Sequence, residues 1–410
     1  LSDTGNMSAS ALNTLNGKVP GTVTVTNVVT LTGTASAVAA SASADNAGTL
    51  ALASNFGATV TGAADATDLT TIYGQTSATI DATGVTAING TASAVATAIN
   101  HSQVNHDDNF TVTLSGTTAT GLQLTQIDAA TSQTVNGSSV TTITGTAAQI
   151  AAAAELDRLG TTTLIDDFAA TVTGSVSASD LNKISARTTA TINAIGATAI
   201  NGTATEVTTA LADSQINHDS DFTVTLTVGS SASTTELNSI AAATSQTIDA
   251  SGVTTITGFA GDINTIYGSS SFSGIGGNEA ITLDDTTLAA SVLNTLDGRT
   301  SAQINAGSVT TLTGTATVVI TALDSSEIDG LGNEIVTLSG NTIAATDLTS
   351  LNSKTSGVIN ATEITSITGS LTDVNVVYAA ASNGEISNLG NEQVTLASSS
   401  NETASALKQL

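Results

Sequence analysis

The sequence predicts an α/β solenoid: stacked strand-plus-short-helix coils with parallel sheets, β-helix-like or leucine-rich-repeat-like, and elongated. Three observations predict it. Seven glycines, Gly33, Gly90, Gly145, Gly202, Gly258, Gly314 and Gly369, recur 57, 55, 57, 56, 56 and 55 residues apart, each ending a segment such as VTTITG. The hydrophobic pattern before each glycine is that of short strands, and the pattern after it is helical. A second strand-then-helix module runs through the other half of each repeat. A fixed period of this length means stacked units that bury their apolar faces only against one another.

The elements follow in order. Residues 1–20 read as the end of a preceding repeat. Repeats at 21–77, 78–132, 133–189, 190–245, 246–301, 302–357 and 358–410 then form one continuous array. Before each glycine stands a frame of three aliphatics: Val23/Val28/Leu31, Ile80/Val85/Ile88, Val135/Val140/Ile143, Ile248/Val253/Ile256, Ile304/Val309/Leu312 and Ile359/Ile364/Ile367. Short β-branched runs broken by Asn, Gly and Ser are brief strands between tight turns, with the aliphatics facing one core.

One residue past the glycine comes Thr34, Thr91, Thr146, Thr203, Thr315 or Ser370, and a large aliphatic follows at Val38, Val95, Ile150, Val207, Ile263, Val319 and Val374. A Thr or Ser there is a helix N-cap, and Gln149, Glu206 and Asp373 stand where a capping-box partner belongs. Phe259 occupies the cap position of the fifth copy, so that helix is expected to start less sharply. Four residues beyond the aliphatic, Ile99, Leu211, Tyr267, Leu323 and Tyr378 are expected to extend the buried stripe.

In the other half of each repeat, Leu12/Leu15, Leu69/Ile72, Leu124/Ile127, Leu181/Ile184, Leu237/Ile240, Leu293/Leu296, Leu348/Leu351 and Leu407/Leu410 mark a second helix. Strand-like runs such as Phe110–Leu114 and Phe222–Leu226 precede it. The coil is then the half-repeat, roughly 24 to 32 residues per turn, with parallel strands about 4.8 Å apart. About fourteen coils result, with strands on one side and helices of one to two turns on another.

Composition narrows the function. Aromatics are 2% of the chain, so the core is thin and stacking has to supply the buried area. The 34 acidic residues against 7 basic give a formal charge of −27, which repels nucleic acid and anionic lipid surfaces. No apolar stretch approaches bilayer-spanning length, so membrane insertion of this segment is not expected. Zero cysteine removes disulfide frameworks, thiolate metal sites and cysteine nucleophiles, and fits an exported protein. The chain opens at Leu1 within a half-repeat and stops at Leu410 on a Leu-Asn-type motif, which suggests a window on a longer array or subunits stacked at both ends.

No residue stands apart as a catalyst. His106 and His218 occupy equivalent copies of one loop and His101 lies beside the first; no Gly-x-Ser-x-Gly elbow and no phosphate loop occurs. An enzyme is therefore not expected. Asp81, Asn136, Asn193, Asp249, Asn305 and Asn360, nine residues before their glycines, read as turn residues bonding their own backbone.

The site hypothesis is acidic. Asp107/Asp108, Asp219/Asp221, Asp284/Asp285, and Glu327/Asp329 with Glu334 are the candidate Ca2+ ligands, because Ca2+ takes several carboxylate and carbonyl oxygens. Asp166/Asp167 forms a similar loop. No EF-hand and no Gly-Gly-x-Gly-x-Asp repeat supports them, and charge runs are commonly solvated faces. Thr30/Thr32, Thr142/Thr144, Thr255/Thr257 and Thr311/Thr313 recur at one position and offer an ice-matching rank, interrupted at Ala87/Asn89 and Ala199/Asn201. The repeats also come in two flavours: Phe56, Phe110, Phe168 and Phe222 stand where later copies have Glu279, Glu334 and Glu392.

The wording VTTITGTA, the GLGNE-like loops and LAASVLNTLDG resembles the Thr/Ala/Gly-rich repeats of very large cell-surface proteins of marine cyanobacteria and related marine bacteria. That resemblance spans the chain, carries over no functional residue, and implies an exported role in coats, adhesion or surface motility. The expected function is a structural segment of an extracellular or cell-surface assembly: a spacer, S-layer-like coat or filament element. Its expected partners are other copies, adjoining repeats of a longer parent, or cell-surface polysaccharide, engaged through repeated weak contacts. The contrasting reading is a Ca2+-dependent adhesin, with a phage or appendage fibre and an ice-binding surface further off.

Overall fold

A computed structural model describes residues 5–397, within which 5–200 and 209–219 form one compact unit and 201–208 and 220–397 a second. Each unit is a stack of coils of the same design. A helix is followed by a two-residue leading strand, and a trailing strand then runs directly into the next helix. Fourteen helices occur among the described residues. Leu407 and Leu410 lie outside those residues.

Coils of two lengths alternate. A short coil has only leading and trailing strands, as in Val135–Asn136 and Thr142–Gly145 before helix Ala147–Leu159. A long coil inserts a middle strand, as in Val104–Asn105, Thr111–Ser115 and Thr118–Thr120 before helix Gly121–Ala129. Along the trailing position, Thr120 pairs with Thr144, 24 residues on, whereas Asn89, which follows Asp65 by 24, is 31 residues before Thr120. The half-repeat is thus the coil, within the expected range.

This alternation makes the strand ladders walk across the coil. In the second unit the parallel order is Ser230–Ser233, Val253–Gly258, Ala280–Leu283, Ile304–Asn305, Ile328–Asp329. It begins on a trailing strand, passes through a middle strand and ends on a leading one. The next ladder, from Thr287–Ala289 to Ile386–Ser387, repeats the walk one repeat later. The first unit follows the same rule, with Thr30–Gly33 pairing to Gly57–Asp65 and that strand to Ile80–Thr91, all parallel.

The three-aliphatic frames are buried throughout, from Val23 and Leu31 to Ile359 and Ile367. The glycine after each frame marks the corner where strand becomes helix. Gly90 has φ +148°, and a Cβ there would come within 3.2 Å of the Ala66 Cβ, the first residue of the preceding helix. Both the left-handed backbone and the close stacking of helix starts call for glycine.

Thr34, Thr91 and Thr146 accept the expected N-cap bonds, and Gln149 and Glu206 complete reciprocal boxes with Thr146 and Thr203. Four expectations are corrected. Thr315 makes no side-chain cap bond. Asp373, one methylene shorter than Glu, takes the Ser370 hydroxyl rather than its backbone N–H. Helices run 8 to 13 residues, so the shortest make about two turns but the longest exceed the one to two turns expected. Of the residues expected to extend the stripe, Ile99 is buried but Leu211, Tyr267, Leu323 and Tyr378 are half-buried. The residue one position earlier, as at Ala210, Ile266, Ala322 and Val377, is the one that faces the core.

Candidate functional site

The proposed calcium ligands are scattered by the coil geometry. Asp107 and Asp108 are exposed, and their main-chain carbonyls are engaged: Asp107 O meets the His106 ring at 2.7 Å, and Asp108 O accepts the Ser132 N–H at 2.5 Å. Asp219 O meets His218 in the same way at 2.7 Å. Asp221 and Asp284 are exposed. Asp285 instead caps a helix, its Oδ2 accepting from Ala260 N at 2.7 Å, and so supplies from the next coil the acceptor that Phe259 lacks.

In the last acidic loop Glu327 accepts from the Ser326 and Ser325 hydroxyls, which hold its carboxyl below the usual range, and Asp329 takes the Gly330 N–H. Glu334 is not in that loop at all but wholly buried. Among the described residues no three His, Asp or Glu side chains converge closely enough to hold a metal ion.

The residue that replaces Phe is the chemically unusual one. Phe56, Phe110, Phe168 and Phe222 fill the interior, and Glu279 and Glu334 take the same place at 1% and 0% exposure. A buried carboxylate is tolerated only when hydrogen-bonded. Here the Gly-rich loop supplies donors. Glu279 accepts from Gly276 N and Gly277 N at 3.0 Å and from the Tyr267 hydroxyl at 3.0 Å. Glu334 takes the Gly332 N–H on both oxygens, and Glu392 takes that of Gly390 together with the Tyr378 hydroxyl. Burial pushes the Glu279 carboxyl up, but the loop N–H groups and Tyr267 outweigh it and hold it below the usual glutamate range. Burial and the facing Glu392 push the Tyr378 hydroxyl up to about 12.

Sequence reasoning missed the partner of this position. Thr76, Thr131, Thr188, Thr244, Thr300 and Thr355 each donate from the following coil to the carbonyl of Phe56, Phe110, Phe168, Phe222, Glu279 or Glu334. The next residue's N–H reaches the same preceding loop, as from Thr189 to Asp166 O and from Ser356 to Gly332 O. The signal was available: a Thr-Ser or Thr-Thr pair recurs at the repeat period.

The turn residues behave as expected. Asp81, Asn136, Asn193, Asp249, Asn305 and Asn360 each accept the N–H two residues on, and Asn388 donates to Asn360 across coils at 2.8 Å. The Thr pairs are half-buried, and ladder drift breaks their ranks: Ser233, Thr257 and Thr282 are followed by Asn305 and Asp329. Tyr73 stacks face to face on His101 at 3.7 Å. A shallow groove of about 640 Å3 along the helices of the second unit is acidic, lined by Asp297, Asp324, Glu327 and Asp347 among others. No helix among the described residues is long and apolar enough to cross a membrane.

No known protein family and no curated protein matches the chain. Among solved structures it is similar to a chain of the crystal structure of the Arabidopsis receptor kinase HAESA in complex with the peptide hormone IDA and the co-receptor SERK1, at 9% identity over 99% of this chain and 78% of that one, with a TM-score of 0.16. So low a score carries no weight, and the solenoid class rests on the parallel registers themselves.

Proposed function

We propose that this chain is a structural repeat segment of an extracellular or cell-surface assembly, working as a spacer, coat or filament element rather than as an enzyme. The observation that carries the reading is how its recurring polar residues are used. The Thr hydroxyls, the Asx turns, the buried glutamates and most of the N-caps after the frame glycines, Thr315 and Phe259 excepted, bond their own or the neighbouring coil in copy after copy of the repeat. A site built for chemistry would gather unlike groups at one place; here like groups are distributed along a stack. The exported location and the self-association of copies belong to this proposal, supported by the absence of cysteine, the acidic surface and the resemblance of the repeat wording.

The test is thermal unfolding of the whole chain in millimolar Ca2+ and in excess chelator, with electron microscopy of both samples. The structural reading expects particles and melting unchanged by chelator. A loss of several degrees, by mass-action linkage, would replace it with the Ca2+-dependent adhesin.

A further inference from the structure

The glutamate at the phenylalanine position has a consequence for the behaviour of the array. Glu279 is 1% exposed, yet it accepts from three N–H groups of the Gly274–Asn278 loop, Gly276 N, Gly277 N and, at 3.3 Å, Asn278 N, while Ser301 of the following coil holds the Gly277 carbonyl of that loop. The loop is glycine-built because it has to be: at Gly274, with φ +82°, a Cβ would fall 2.6 Å from the Ser251 backbone. Three N–H groups and one phenol converge on two oxygens, an arrangement matched to a carboxylate and mismatched to a carboxylic acid, which would aim a proton at a ring of donors.

We propose that the Tyr267–Glu279 clasp is an acid-released latch: protonation of Glu279 frees the Gly274–Asn278 loop and opens that coil, while coils carrying Phe at the same position stay closed. The proton comes from solvent, and Tyr267 keeps its own. The charged and titratable groups facing the latch are few. Tyr267 comes from the preceding helix, and Arg299, from the loop after the next helix, acts electrostatically on that phenol. The preceding coil presents the Ser251 backbone, and the following coil presents the Thr300 hydroxyl, which donates to Glu279 O at 2.8 Å.

The direction follows from linkage. Because the folded-state carboxyl lies below its ordinary value, the latch contributes its full stability above the ordinary glutamate range and loses it as pH falls through the folded value. Tyr267 stays protonated throughout, since burial and Glu279 push it further up.

The experiment is hydrogen exchange of the full chain, read by mass spectrometry as protection corrected for intrinsic rate, between pH 6 and pH 3. Peptides covering 272–283 should lose protection at up to about tenfold per pH unit as pH falls below the ordinary glutamate value, levelling off once the folded-state carboxyl itself protonates. Peptides covering 162–172, where Phe168 stands, should hold theirs. Glu279→Gln should abolish the pH dependence, with low protection at all pH values if the amide binds the loop poorly. Tyr267→Phe, which leaves the loop N–H groups in place, should lower protection of 272–283 already at pH 6 and shrink the further loss on going to pH 3, because the folded-state carboxyl then lies nearer its ordinary value. Equal loss in both regions, or loss at 272–283 that persists in Glu279→Gln, would overturn the latch.

Discussion

The hydroxyl of Thr188 joins one coil to the one before it, and removing it without changing its shape tests how much such a junction holds. Thr188 is 3% exposed, donates to Phe168 O at 2.5 Å and accepts from Ala190 N at 3.1 Å. Thr188→Val keeps the volume and removes both bonds. Leaving the buried Phe168 carbonyl unpaired costs about 1–3 kcal/mol, and the half-buried Ala190 N–H about another 0.5 kcal/mol after partial replacement by water. The added methyl gives back a fraction of this, so the net is about 2 kcal/mol. That is about a 30-fold rise in the opening constant of the coil. Because an array opens locally, the assay is hydrogen exchange of peptides on either side of the junction, with the intact Thr76–Phe56 copy as reference. Thr188→Ser, which keeps the hydroxyl, should restore most of the protection. A change below about threefold in Thr188→Val would refute the claim that these hydroxyls hold the stack.

Two further substitutions test the glutamate-flavoured coils. A Cβ at Gly357 would lie 2.1 Å from the Glu334 carbonyl oxygen, a backbone atom with nowhere to go; Gly357→Ala should lower stability of the second unit by about 1–3 kcal/mol in urea titration, and a neutral result would mean the coils are spaced more loosely than described. Leu323 occupies, beside Glu334, the helix position that Tyr267 and Tyr378 hold beside Glu279 and Glu392. Leu323→Tyr should therefore raise stability by about 1 kcal/mol through a charge-assisted bond, and an equal gain from Leu323→Phe would show that packing rather than the hydroxyl is responsible.

How much of this was legible in the sequence depends on whether a feature is local. The glycine period, the aliphatic frames at Val135/Val140/Ile143 and the caps at Thr91 and Thr146 are local patterns, and each stands where the periodicity puts it. The Asx turns are local too, since Asn136 bonds only two residues ahead. The parallel stacking of half-repeat coils also stands as expected, but what failed were the inferences that needed to know which side chains of the neighbouring coil stand opposite. Asp285 looks like half of an acidic pair until the stacking brings it over the start of helix Ala260–Gly268. Glu334 looks like a loop carboxylate because GLGNE is polar and glycine-rich, whereas the register puts it in the interior that Phe222 fills elsewhere. The alternation of two-strand and three-strand coils was hidden because both halves of the repeat share one strand-then-helix pattern.

The two flavours also explain each other. In a chain with 2% aromatics, each buried Phe supplies a large share of the apolar area of its coil, and exchanging it for Glu forfeits that area and buries a charge. The exchange is tolerable only if the loop before it changes at the same time, because the donors that satisfy Glu279, Glu334 and Glu392 are the N–H groups of Gly276 and Gly277, of Gly332, and of Gly390. The glycines let the loop turn those groups inward; Gly274 and Gly330 take the left-handed backbone at φ +82° and +88°, and in the last copy Asn388 takes it at 64°. A Glu placed at Phe56 alone would follow Ser54 and Asn55 instead of such a loop, with no inward N–H groups to receive it. Loop and side chain thus form one unit of exchange. The glutamate coils accordingly carry Gly-Gly-Asn-Glu or Gly-Asn-Glu, and none of the phenylalanine coils does.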